Sequence, residues 1–108
     1  MSHNSAERSP VPAYYIADVD VHDPEAYAEY RAGVPASLEP YGGRFVVRGG
    51  GFEVKEGDWT PTRLVMLEFA TMERARAWYE SEEYAPLLAL RKRTATSRVM
   101  IVEGLDAD

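Results

Sequence analysis

Residues 13–27 read AYYIADVDVHDPEAY, and the fold turns on how they divide. Ala13 to Val21 alternates, with Tyr15, Ala17, Val19 and Val21 on one face and Tyr14, Ile16, Asp18 and Asp20 on the other, the period of a strand with one cleaner apolar side. Asp23 then offers a side-chain acceptor for free helical N–H groups, Pro24 fits the first helical position, and Glu25 sits beside the positive helix end. A helix follows, with Tyr27, Tyr30, Val34, Leu38 and Tyr41 close to a 3.6-residue repeat. Gly33 and Pro35 interrupt that stripe and predict a kink or a restart near Pro35.

Working outward, Gly42-Gly43 ends the helix and Arg44 to Arg48 alternates again, with Phe45 and Val47 on one face and Arg44, Val46 and Arg48 on the other. Gly49-Gly50-Gly51 permits a bulge or sharp bend; Phe52 to Lys55 reads as a short extension and Glu56-Gly57-Asp58 as a hairpin loop. Arg63 to Ala70 is a third strand, its faces Val65, Leu67, Phe69 and Leu64, Met66, Glu68. Thr71 caps a helix carrying Met72, Ala75, Trp78 and Tyr79. Pro86 lies too far along for one continuous helix, so a break is expected at Ser81 or Glu82. A second helical piece carries Tyr84, Leu87, Leu88 and Ala95, with Arg91, Lys92 and Arg93 near its negative end, and Ser97 to Leu105 is the last strand.

The order βαββαβ describes an α+β, ferredoxin-like antiparallel sheet with its helices on one face. If Tyr15, Ala17, Phe45, Val47, Val65, Leu67, Phe69, Met100 and Val102 lie beneath the helices, the other face presents Ile16, Val46, Leu64, Met66, Val99 and Ile101. That surface is too apolar to leave in water, and a second copy of the sheet is the economical cover, so a homodimer is expected.

The 108 residues leave room for one domain, 13–105, behind a polar tail, 1–12, that contains Pro10 and Pro12 and is expected to be mobile. With no cysteine there is no disulfide, thiolate metal site or thiol nucleophile. A formal charge of -6 opposes binding to nucleic acid. No segment has the apolar length of a membrane span or secretory signal, and a cytoplasmic location is expected.

Asp23 to Tyr27, YGGRFVVRGG from Tyr41 to Gly50, EGDW from Glu56 to Trp59, LVMLEF from Leu64 to Phe69 and AWYESEEYAPLLALR from Ala77 to Arg91 together resemble a bacterial family of unknown function, DUF1330, in the dimeric α+β-barrel group. The resemblance runs from Ala13 to Gly104. It implies a ferredoxin-like subunit that dimerises by stacking sheets, and it implies no reaction.

Two constellations could carry chemistry. By strand parity Asp18, Arg48, Glu68 and Glu103 share the open face with Asp20 and Arg44, as an acid/base pair, an anchor for a polar ligand, or an ion-pair network in an interface. Tyr15, Tyr27, Tyr30, Trp78, Tyr79 and Tyr84 converge between helices and sheet, where small Ala17 would leave a hollow for a flat organic ligand met by Arg31, or else the rings form a filled core. The candidate ligand-binding residues are therefore Tyr15, Tyr30, Arg31, Arg48, Glu68 and Trp78; no catalytic residue is assigned. His22 has no second histidine at helical spacing, and the glycine run has neither dinucleotide nor P-loop spacing, so no metal and no cofactor is expected. The function these features describe is a small-molecule-binding protein, with or without activity on a small organic compound. The alternatives are a cofactor-independent oxygenase or isomerase and a purely structural or interaction dimer.

Overall fold

The computed structural model describes residues 11–106. Most of the expected tail, residues 1–10, lies outside them, but the carbonyl of Pro12 accepts from the Gly104 N–H at 2.7 Å. The elements are β1 (Ala13–Val21), α1 (Pro24–Leu38), a 3-10 turn (Glu39–Tyr41), β2 (Arg44–Arg48), β3 (Leu64–Phe69), α2 (Met72–Tyr79), α3 (Ala85–Thr94) and β4 (Ala95–Glu103). No strand forms at Phe52 to Lys55. Helix starts follow the sequence signals: the Ala26 N–H donates to Asp23 Oδ1 at 3.2 Å and the Arg74 N–H to Thr71 Oγ1 at 3.1 Å. The break between α2 and α3 falls at buried Ser81, whose hydroxyl donates to the Trp78 carbonyl at 2.8 Å and accepts from the Tyr84 N–H at 3.1 Å. One side chain thus serves a carbonyl from the end of α2 and an amide at the start of α3.

The strands pair antiparallel in the order β2-β3-β1-β4, a ferredoxin-like sheet. Tyr15 lies opposite Leu67 and Ile101, and Ala17 opposite Val65 and Val99, so these positions share the face under the helices. Trp78 is central to the core. Its ring centroid lies 4.0 Å from that of Tyr84 and 5.3 Å from that of Tyr15, and its Nε1–H donates to Ser37 Oγ at 3.0 Å, so the indole is buried with its polar atom satisfied.

Three local expectations are corrected. First, β4 is inverted: pairing with β1 puts Val99 and Ile101 beneath the helices and leaves Met100 and Val102 on the open face, opposite Ile16 and Tyr14. Glu103, opposite Ala13, also leaves the open-face set. The cause is a run of four apolar residues, Val99 to Val102, in which alternation is invisible and register alone decides. Second, β2 carries a bulge: Phe45 faces Leu67, but Val47 faces Met66 and Arg48 faces Val65, so Val46 is the extra residue. One inserted residue exchanges the faces beyond it, sending Val47 to the open side and Arg48 to the helix side. Third, of the kink or restart expected near Pro35, the restart does not occur: α1 runs through Pro35 to Leu38.

Candidate ligand pocket

The bulge at Val46 creates the site. It brings Arg48 to a hollow whose roof is the α1 stripe Tyr27, Tyr30 and Val34, whose floor is Tyr15, Val19, Val65 and Leu67, and whose remaining lining is Phe45, Arg31, Arg48 and Arg63. The hollow measures about 350 Å³ with its open mouth, but its interior free space, about 20 Å³, holds only about one water. Arg48 partly covers it. The guanidinium carbon lies 4.1 Å from the Phe45 ring centroid, and Nη2 donates to the main-chain oxygen of Arg31 at 2.8 Å. In an α-helix that oxygen would accept from the amide of residue 35, and proline has none. Pro35 therefore frees the acceptor that Arg48 takes.

Arg63 stands just ahead of β3. Its carbonyl accepts from the Val19 N–H at 2.8 Å, and its own amide donates to Asp18 Oδ1 at 3.3 Å, so Asp18 works as a clamp on the entry to β3. The Arg63 Nε is buried with no hydrogen-bond partner among the described residues. Its guanidinium lies against Gly49, where φ is 73° and a β-carbon would overlap the side chain.

Behind the roof and floor, the hydroxyls of Tyr30 and Tyr84 are 2.7 Å apart, and buried Arg91 donates from Nε to the Tyr84 oxygen at 3.4 Å. Burial pushes the phenols of Tyr15 and Tyr30 well above their ordinary range, so both are neutral hydrogen-bonding groups at physiological pH and neither is a ready base.

Of the six candidate residues, Tyr15, Tyr30, Arg31 and Arg48 meet in this pocket. Glu68 does not: it lies on the opposite sheet face, ion-paired with Arg44 and accepting from the Tyr14 hydroxyl at 3.2 Å. Trp78 does not line the pocket either, because it is sealed in the core with no exposed surface. Ala17 is flanked by Val65 and Val99 and is absent from the pocket wall. The expected polar cluster is divided between the two faces, Arg48 by the bulge in β2 and Glu103 by the register of β4. Sequence reasoning did not place Tyr27, Phe45 and Arg63 in the candidate set. Tyr27 and Phe45 stood on the correct faces, whereas Arg63 carried no signal. Among the described residues, no group of three or more His, Cys, Asp or Glu is arranged to hold a metal ion, and no helix is long and apolar enough to cross a membrane.

A family model described as a domain of unknown function, DUF1330, matches residues 12–105. A protein of unknown function from Rhodopseudomonas palustris is 18% identical with a TM-score of 0.68, over 94% of this chain and 88% of that one. SnoaB, a cofactor-independent oxygenase from Streptomyces nogalater, is 14% identical with a TM-score of 0.64, over 90% of this chain and 96% of its own. A conserved protein of unknown function from Bacteroides thetaiotaomicron, described as a possible oxidoreductase, is 15% identical with a TM-score of 0.54, over 88% of this chain and 98% of that one. At these identities the likeness is one of fold. No curated protein matches the chain.

Proposed function

We propose, for a chain that belongs to the DUF1330 family and so shares a fold without an assigned reaction, that it binds a small organic molecule in the pocket between α1 and β2. The observation that carries this reading is the Arg48 closure over an otherwise apolar and aromatic hollow. A half-open wall held by one hydrogen bond and one cation–π contact from an exposed side chain costs little to open, and opening it uncovers Tyr27, Tyr30, Phe45 and Val65 as a surface for a flat body. Ring-proton NMR of Tyr27, Tyr30 and Phe45 tests it. Titration with single-ring aromatic fragments is expected to give saturable shifts at these three rings, and unshifted rings at millimolar fragment would contradict it.

A second reading, conversion of the ligand without a bound cofactor, draws on the fold shared with SnoaB. The pocket wall contains no carboxylate and no histidine, and the phenols of Tyr15 and Tyr30 are held neutral, so binding is the better-supported role. Oxygen consumption with phenolic substrates distinguishes the two.

The assembly that suits this chain is a homodimer through the open sheet face. Ile16, Leu64 and Met66 are half-buried there, and Met100 and Val102 are exposed beside them. A second copy would cover this face while leaving the pocket, on the helix side, accessible.

A further inference from the structure

The geometry points to an organic carboxylate as the ligand of this pocket, its flat apolar body against Tyr27, Tyr30 and Phe45 and its charged end between Arg48 and Arg63. This inference rests on the pocket reading above and adds the chemical class.

The chain carries a formal charge of -6, yet Arg31, Arg48 and Arg63 all line one hollow whose wall contains no carboxylate. Positive charge has been gathered against the overall balance at a single place, and fields of that kind recruit anions. Arg63 gives the second, independent observation. Its Nε is buried and unpaired among the described residues, a donor that costs free energy until an acceptor arrives. Gly49 supports the same placement, since any β-carbon there would occupy the space the guanidinium uses.

Arg48 completes the site. Its partner in the closed form is a neutral carbonyl, and a guanidinium bonds a carboxylate more strongly than a neutral acceptor. Exchanging the Arg31 oxygen for a ligand carboxylate therefore opens the pocket and secures its occupant in one movement. A planar carboxylate suits guanidinium forks, and the rest of the wall offers rings and aliphatic groups in place of the amide cradle and lysine that phosphate sites employ.

Calorimetric titration of the wild-type protein with benzoate, benzamide and phenyl phosphate tests the inference, followed by benzoate on Arg48→Met and Arg63→Met. Benzoate is expected to bind at least tenfold tighter than benzamide and tighter than phenyl phosphate, and both variants are expected to lose that preference. Equal binding of benzoate and benzamide would overturn the carboxylate assignment and leave the pocket reading standing, as would a preference for phenyl phosphate. Binding of none of the three, with unshifted Tyr27, Tyr30 and Phe45 resonances, would overturn both. Arg48 is exposed, so Arg48→Met carries the test if Arg63→Met fails to fold; a benzoate preference unchanged in a folded Arg48→Met protein would overturn the assignment.

Discussion

Arg48 Nη2 donates to the Arg31 carbonyl at 2.8 Å, joining the β2 edge to the middle of α1 at the acceptor that Pro35 leaves free. Two departures from regular structure, a proline within a helix and a bulge within a strand, thus meet in one hydrogen bond. Either one alone would be a local cost; together they form the closure of the pocket.

That relationship makes Pro35→Ala informative. Restoring an amide at position 35 gives the Arg31 oxygen its ordinary helical partner, and the variant is expected to be more stable by about 1–3 kcal/mol. The Arg48 side chain should then be released, visible as increased motion of its Nε–H in NMR relaxation. Unchanged stability together with an unchanged Arg48 side chain would show that the carbonyl was not the link.

Gly49→Ala should act on both the backbone and the pocket. A left-handed φ of 73° is strained for alanine by about 1–2 kcal/mol, and the new methyl group also displaces the Arg63 guanidinium. Thermal unfolding is expected to report the first effect and weakened benzoate binding the second, while Gly50→Ala, where a β-carbon meets nothing within 4 Å, should leave binding unchanged.

The buried phenols set an alkaline limit. Burial raises the pKa of Tyr15 and Tyr30 in the folded chain, so their neutral forms favour folding fully below the unfolded value near 10.0, and that contribution is lost as the pH rises beyond it. Each phenol is expected to lower stability by about 1.4 kcal/mol per pH unit above that point. Denaturant midpoints measured from pH 8 to 11.5 should fall above pH 10, and the fall should be shallower in Tyr30→Phe. A flat profile would mean that these phenols titrate as freely in the folded chain as in the unfolded one.

For the open face, wild-type protein is expected to sediment at about twice the subunit mass at micromolar concentration, and Met66→Asp at the subunit mass, because a carboxylate buried without a partner there costs several kcal/mol. A monomeric wild type would remove the dimer from the account.

The scaffold was legible because its signals were redundant. β1 alternates cleanly, Asp23-Pro24 and Thr71 mark helix starts, and Ser81 with Pro86 marks the break between α2 and α3. The site was legible only in part, because it depends on a feature without a sequence signature. Nothing in Phe45-Val46-Val47 distinguishes a bulged valine from a paired one, so simple parity placed Arg48 beside Glu68 instead of beside Arg31. Trp78 and Tyr27 are both aromatic residues on helical stripes, and only packing decides that one is sealed in the core while the other faces a hollow. Arg63, a charged residue at the start of a strand, reads as an ordinary solvated end until its Nε is seen buried.

The central claim is that the hollow between α1 and β2 holds the ligand, and the most direct measurement is the set of intermolecular nuclear Overhauser effects from benzoate bound to isotope-labelled protein. The account predicts contacts from the benzoate ring to the side chains of Tyr27, Tyr30 and Phe45, with loss of the Arg48 contact to the Arg31 carbonyl. Contacts confined to Ile16, Met66 and Met100 on the opposite sheet face, with Arg48 still closed, would contradict it.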